Sequence, residues 1–464
     1  MTRTGVKRPA GNRPTGAVYI GPQAASLARV FRSRRSSRSP SFSGSQRVSS
    51  VHDKGVVIVG GGHGGSQVAA SLRVDGYDGP LTLITAEPDI PYQRPPLSKA
   101  FLKDPHHDLL PLRPESFYVK NTIDLRLGAE VSAIDLAARA LRLADGSAVP
   151  FDRLVLATGA RPRLPPIEGI GLDGVLTLRH SDDARTLRDR LHAARDVVVV
   201  GGGFIGLEIA ATARLLGKTV TVLEAAGRLM GRAAAPEISA HFLAVHRGWG
   251  SNIRLDTAVG AIVGEGDRVV AVDTAAGDRI PADIAVVGIG VVPNVELATA
   301  AGIAADNGIG VSAFMETSVP EILAIGDAVS FVHWETGKRV RLESVQNAVD
   351  QGKTAAKSIV GKREEYRDVP WFWSDQGDVK LQMVGLSGDA TRSFLRGRPD
   401  DGHFSVFHYA GDRLVAIDSV NRASDHVVGR KMIGVGLSPP PEVVVDESAD
   451  LKALVKKAMA AAAQ

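Results

Sequence analysis

The chain predicts an α/β protein: two Rossmann-like dinucleotide-binding units, with an α+β domain behind them. Three observations carry that expectation. Two glycine-rich turns lie about 140 residues apart, one in VVIVGGGHGGSQVAASL at residues 56–72 and one in VVVVGGGFIGLEIAATARLLG at residues 197–217. Each follows a short β-branched run and precedes a second strand that ends in an acid, Glu87 after LTLITA and Glu224 after TVTVL. From Pro370 the composition shifts to WFWSDQ and alternating runs such as HFSVFHY and RLVAIDSV, which read as a separate sheet.

Each glycine turn has a mechanical reading. A strand ends, the chain turns sharply, and a helix begins with unpaired N–H groups facing a ligand. Gly60, Gly62 and Gly65 match G-x-G-x-x-G, and so do Gly201, Gly203 and Gly206. The first glycine permits the turn, the second admits a pyrophosphate close to backbone, and the third lets helix pack on strand. The positive end of the helix dipole adds attraction for phosphate. The acid closing the next strand stands where a carboxylate accepts hydrogen bonds from ribose hydroxyls. One such turn is a weak signal in a chain with 50 glycines; two complete strand–turn–helix–strand–acid units are not.

The remaining segments are taken in chain order. Ten of the 55 basic residues and none of the 51 acids lie in residues 1–52, so the rest of the chain carries a net −6 despite the overall +4. This leader, rich in Ser, Arg, Pro and Gly, has too little apolar content to form a core. It reads as a disordered tail or over-extended start, with a targeting segment, or a segment that binds nucleic acid or anionic membrane electrostatically, as the alternatives. Residues 53–163 hold the first unit, the proline-rich loop DIPYQRPPLSKAFL and the strand and turn of RLVLATGARPR. Residues 164–289 hold the second unit, and residues 290–368 return to the first through GIGVVPN, AIGDA and the helix SVQNAVDQGKTAAKSIVG. Val345, Ala348, Val349, Ala355, Ala356 and Ile359 give that helix its apolar spacing. Residues 369–464 form the α+β domain. No apolar run approaches the ~20 residues that span a bilayer. The chain has no cysteine, which excludes disulfides, thiolate metal sites and cysteine-ligated clusters within it, and fits a reducing, cytoplasmic setting.

The order GGGHGG, PYQRPPLSK, RLVLATGARPR, GGGFIGLE, GIGVVPN, AIGDA, WFWSDQ resembles the FAD-dependent ferredoxin reductases. These share the glutathione-reductase-like FAD/NAD(P) fold. The likeness extends over about residues 55–460 and is strongest to reductases that feed [2Fe–2S] ferredoxins of bacterial cytochrome P450 systems or aromatic-ring dioxygenases. It implies that Gly60, Gly62 and Gly65 cradle the FAD pyrophosphate and that Glu87 holds the adenosine ribose. It implies Lys99 near the flavin N5, where a cation stabilises charge as hydride arrives. Asp327 would accept from a ribityl hydroxyl, although a plain helix cap explains an Asp there equally well. Arg161 would lie near the same pocket, with Val345 and Trp373 at the isoalloxazine edge. In the second unit Gly201, Gly203 and Gly206 would face the NAD pyrophosphate, with Phe204 and Glu208 flanking the approach of nicotinamide.

Glu224 points to NADH rather than NADPH, because a fixed carboxylate repels a 2′-phosphate. Arg228, four residues on, is the nearest downstream cation that could offset this. With no cysteine beside the flavin, disulfide-reductase, thiol-peroxidase and persulfide chemistry are excluded, and FAD can instead take a hydride and release its electrons singly to an external acceptor. An acidic [2Fe–2S] ferredoxin needs a basic docking face. Lys353 and Lys357 lie four apart on one helix, preceded by Lys338, Arg339 and Arg341. Lys353 is the expected pairing residue, and Trp373 the contact between flavin and cluster. The resemblance implies a monomer; no nucleic-acid partner and no transmembrane segment are expected. Two rival readings are an NADH:quinone dehydrogenase and an NADH-sensing flavoprotein resembling apoptosis-inducing factor.

Overall fold

The computed structural model describes residues 54–462; the basic leader expected at residues 1–52 lies outside them. Its first sheet is parallel, with Val56–Val59 near its centre, Leu81–Ile84 then Asp124–Arg126 on one side, and Arg153–Leu156 then Ile322–Ala324 on the other. All four residues of Val56–Val59 are buried, as a strand covered on both faces requires. The second sheet repeats this plan. Asp196–Val200 is flanked by Thr219–Leu223 and Asn252–Arg254 on one side, and by Ile284–Val287 and Val175–Leu176 on the other. In both units a three-stranded antiparallel meander, starting at Val131 or at Val259, precedes the strand that pairs with the other edge of the central one, Arg153–Leu156 or Ile284–Val287. An antiparallel pair, Ala160–Pro162 with Val291–Pro293, links the two units.

Helix α1 (His63–Val74) follows the first glycine turn and α2 (Phe204–Leu215) the second. Helix α3 (Val345–Ile359) packs on α1 almost backbone to backbone. A Cβ on Gly352 would lie 3.0 Å from the Gly64 carbonyl, and one on Gly64 would lie 2.9 Å from Ile325 Cδ1. The apolar spacing of α3 is only part of its burial: Gln346, Asn347, Asp350, Gln351 and Thr354 are buried beside Ala348, Ala355 and Ala356. These polar groups tie α3 to its neighbours, Gln351 accepting from the Gly326 N–H at 2.7 Å and Asn347 donating to the Leu342 carbonyl at 3.0 Å.

The C-terminal sheet is antiparallel, in the order Trp371–Gln376, Val379–Gly385, Arg413–Val420, His403–Ala410, Arg392–Arg398. One face carries Val384, Phe407, Tyr409 and Ile417 against helical Met432 and Ile433. The other carries Leu381, Phe404, Val406 and Val420 against Met230, Ala235 and Phe242 of the second unit. Such period-two division is what two-sided strands produce. Among the described residues no helix is long and apolar enough to cross a membrane, and no His, Asp and Glu cluster could hold a metal ion.

Candidate active site

The first turn behaves as its glycines demand. Gly60 has φ +114°, and a Cβ there would lie 2.2 Å from the Ala157 carbonyl; on Gly65 it would lie 1.9 Å from that of Gly60. Gly62 differs: its only neighbour within 4 Å would be Arg94 Nε, at 4.0 Å. Space therefore opens at the one glycine where a pyrophosphate must approach the N-terminus of α1, so these residues fit the dinucleotide. Glu87 is mostly buried and receives Arg94 at 2.6 Å, the Tyr92 hydroxyl and His180 Nδ1 at 3.2 Å. Burial would raise its pKa, but hydrogen bonding to His180, the Arg94 charge and Tyr92 together bring it down to about 2. It is thus an ionised acceptor, already supported from three sides.

Asp327 does not end the strand Ile322–Ala324 but follows it in a single 3-10 turn, Gly326–Ala328, entered through Gly326 at φ +77°. The guanidinium that reaches it is that of Arg179, at 3.0 Å. Arg161, expected in this pocket, is half-exposed on the linking ribbon, where it pairs with Glu296 at 2.7 Å and Asn294 at 2.9 Å. The pairing of Ala160–Pro162 with Val291–Pro293 carries its side chain to that side; Arg179, in a loop before a helix, takes the place expected of it. Val345 is the first residue of α3, whose N-terminus is capped by Ser344 Oγ accepting from the Asn347 N–H at 3.1 Å.

Lys99 ends the PPLSK loop and reaches across to the second unit. Its Nζ lies 2.6 Å from Glu208 Oε2 on α2, and Ser98 Oγ donates to the same oxygen at 2.5 Å. Thr212, one turn further along α2, donates to the Ser98 carbonyl at 2.9 Å and fixes the loop there. Glu208 is 4% exposed, so its charge is compensated by Lys99 rather than by water. The arrangement holds a cation at the junction of the two nucleotide units.

The second turn copies the first. Gly201 has φ +105°, and a Cβ on Gly206 would lie 2.3 Å from the Gly201 carbonyl, while Gly203 caps α2 without a side chain. A groove of about 1650 Å³ runs from Gly202 and Glu224 past Phe204 to Ser344 and Phe372. The Phe204 and Phe372 rings are 4.6 Å apart. Glu224 accepts the Gly202 N–H at 2.7 Å and the Ala226 N–H at 2.8 Å, which holds its carboxylate rigidly at the groove wall. Arg228 makes no ion pair with it. Its guanidinium is spent on the Ala234 carbonyl at 2.6 Å, the Gly231 carbonyl at 2.5 Å and Ser239 Oγ at 3.1 Å.

Trp373 stacks beside Trp371 with ring centroids 5.4 Å apart, and the Arg430 guanidinium lies 5.5 Å from the Trp371 ring. The Trp371 backbone N–H donates to Gln346 Oε1 on α3 at 3.0 Å, joining the tryptophan strand to the helix that carries Lys353. The expected basic face is not a set of free charges. Lys353 pairs with Asp350 at 2.6 Å and Lys357 with Glu364. Arg341 leaves the face altogether: with its side chain 13% exposed, it lines the nucleotide groove and binds Glu343 and Asn307. Sequence spacing places cations but not the carboxylates that neutralise them. It also missed Arg179, Tyr92, His180 and the polar residues of WFWSDQ, although the alternation within that motif carried a signal.

Residues 54–352 match the pyridine nucleotide-disulphide oxidoreductase family, and residues 371–455 match the reductase C-terminal family. Rhodocoxin reductase of Rhodococcus erythropolis is 44% identical over 403 residues, covering 87% of this chain and 94% of that protein. Putidaredoxin reductase of Pseudomonas putida is 41% identical over 411 residues, covering 87% and 97%. Among solved structures, the ferredoxin reductase for the CYP199A2 system from Rhodopseudomonas palustris is similar at TM-score 0.84 and 46% identity, covering 87% of this chain and all of that one. The covalent putidaredoxin reductase–putidaredoxin complex matches at TM-score 0.85 and 41% identity, covering 88% and 99%. The chain belongs to the pyridine nucleotide-disulphide oxidoreductase family, among the ferredoxin reductases that carry the C-terminal reductase domain.

Proposed function

We propose that this oxidoreductase takes electrons from NADH through FAD to a [2Fe–2S] ferredoxin that serves a cytochrome P450 or a ring-hydroxylating dioxygenase. What carries the reading is the junction at Lys99 and Glu208, where both nucleotide units converge in a chain with no cysteine. FAD supplies the conversion of one hydride into two single-electron transfers. The protein's part is positional. Gly60, Gly62, Gly65 and Glu87 hold the flavin nucleotide, Asp327 with Arg179 fixes its ribityl region, and Lys99 offers a cation beside the reacting edge. Gly201, Gly203, Gly206 and Glu224 hold the nicotinamide nucleotide, which passes Phe204 to reach the flavin. Val345 presents the N-terminus of α3, whose dipole favours negative charge.

The ferredoxin docks beside Trp373, on the face formed by Lys353 and Lys357, with Arg341 removed from the set. Lys353, Lys357 and Arg430 all act on Asp368, which supports a shared neighbourhood for these three cations. On this reading the reductase works as a cytoplasmic monomer, which light scattering and fractionation check. Anaerobic reduction by NADH followed by mixing with [2Fe–2S] ferredoxins tests the function. Rapid flavin reoxidation by a ferredoxin is expected. Reoxidation by soluble quinone and by no ferredoxin would reject it.

A further inference from the structure

The strand Trp371–Gln376 uses both of its faces, and only one has been given a role. Trp371 and Trp373 point one way. Phe372, Ser374 and Gln376 alternate to the other and meet the second unit: Phe372 on Phe204, Ser374 on Glu208, Gln376 on His246. Ser374, Gln376 and His246 are each 0% exposed. Three polar side chains sealed from water need a reason, because each must be paired at a cost in geometry.

The directions of their hydrogen bonds follow from what each atom can donate. Burial lowers the His246 pKa, so its imidazole is neutral and carries one N–H. His246 Nε2 lies 2.8 Å from Gln376 Oε1, an atom that only accepts, so the proton sits on Nε2. That turns the Gln376 amide nitrogen toward Ser374 Oγ, 3.3 Å away. With that lone pair engaged, the Ser374 hydroxyl gives its proton to Glu208 Oε1 at 2.7 Å. The other Glu208 oxygen receives Lys99 and Ser98. Both carboxylate oxygens are thus pinned, by donors from the flavin unit and from the C-terminal sheet, and the carboxylate cannot rotate about its own bond.

We propose that Ser374 is a positioning residue for hydride transfer: it acts through Glu208 to hold the Lys99 ammonium in one place, and Gln376 and His246 fix the direction of its hydroxyl. The proposal rests on the reading of Lys99 as the cation beside the flavin. Without Ser374, Glu208 keeps its charge partner but loses the donor that sets its orientation, and Lys99 moves with it.

The experiment uses FAD-loaded protein and measures anaerobic flavin reduction by NADH together with the visible circular dichroism of the bound flavin. Ser374→Ala should lower the limiting reduction rate roughly ten- to hundred-fold, the loss that a misplacement of about 1 Å produces. NADH affinity and FAD content should stay at wild-type values, and the visible dichroism should change. Ser374→Thr, which restores the hydroxyl, should restore rate and dichroism. In a Lys99→Met background, Ser374→Ala should cost nothing further. If the alanine variant fails to retain FAD, Ser374→Cys, with similar volume and a weaker donor, is read on the same two signals. A wild-type rate and spectrum in the serine variant overturns the proposal, and so does a full additional loss in the Lys99→Met background. A wild-type rate in Lys99→Met alone overturns the reading of Lys99 itself. A slow Lys99→Met beside a normal Ser374→Ala overturns only the role of Ser374.

Discussion

Replacing Glu224 with alanine should invert much of the preference for NADH, and the size of the change follows from the groove wall. The carboxylate is held by the Gly202 and Ala226 N–H groups at 2.7 and 2.8 Å, so it cannot swing away from a 2′-phosphate. At about 4 Å and an effective dielectric near 20, the repulsion is about 4 kcal/mol per unit charge. If screening removes half, about 2 kcal/mol remains, more than tenfold in kcat/KM. Arg228 forms no ion pair with Glu224, its guanidinium being bonded to two carbonyls and Ser239. The wild-type enzyme should therefore use NADPH at least about tenfold less well than NADH. Glu224→Ala removes the repulsion and frees two N–H donors for the phosphate, which should raise kcat/KM for NADPH by roughly tenfold. It also removes the acceptor of the adenosine ribose hydroxyls, a charged hydrogen bond of about 1.5–3 kcal/mol, so NADH should lose tenfold or more. Steady-state reduction of ferricyanide with each coenzyme, across a range of salt, measures both numbers. Comparable kcat/KM for the two coenzymes in the wild type, or an unmoved ratio in the variant, would show that Glu224 does not set selectivity.

The second and third glycines of the first turn should separate flavin binding from folding. Gly62→Ala has open space and φ −73°, so the protein should fold and lose FAD; Gly65→Ala would place Cβ 1.9 Å from the Gly60 carbonyl and should fail to fold, as read by circular dichroism and flavin content. A folded, flavin-replete Gly62→Ala would refute the pyrophosphate assignment. Lys353→Glu should raise KM for ferredoxin about tenfold, the effect of reversing a charge at an interface rim, while ferricyanide reduction stays unchanged; an equal fall in both activities would move the docking face elsewhere. His63 follows the first turn, and burial, then the Arg94 charge, holds its pKa down at about 4 from 6.5. The unfolded chain takes up this proton at higher pH than the folded one, so the stability involved is complete above pH 6.5 and is lost as pH falls toward 4. Between pH 7 and 5 the loss is about 2 kcal/mol, and His63→Gln should remove it from the urea unfolding of flavin-free protein; identical pH slopes for the two proteins would refute the shift.

Local chemistry was legible in the sequence, and long-range pairing was not. The glycine turns could be read because each rests on residues within a few positions of one another: a turn with positive φ, a helix start and a strand end. Glu87 and Glu224 were legible for the same reason, being attached to those units at fixed offsets, whereas Lys99 stood out only through the resemblance that PPLSK carries. The absence of cysteine needed no structure at all, and it alone removed the sulfur chemistry that the wider family name advertises. Arg179 was not legible: it meets Asp327 across 148 residues, and nothing local distinguishes it from Arg161. Ser374 reaches Glu208 across 166 residues, so only the docking of the C-terminal sheet onto α2 could reveal it.

Charge shows the same division. Sequence spacing put Lys353 and Lys357 on one helical face, which α3 bears out in their positions. Whether they are free depends on Asp350 and Glu364, and whether Arg341 faces solvent depends on Glu343, Asn307 and the groove wall. Sequence by itself settled which ligands this chain is built to hold, because phosphate and ribose recognition are written in short runs of backbone geometry. Tertiary structure alone decided which side chains stand at the point where those ligands meet, because Lys99, Glu208 and Ser374 come from three separate segments that only folding brings within hydrogen-bond distance.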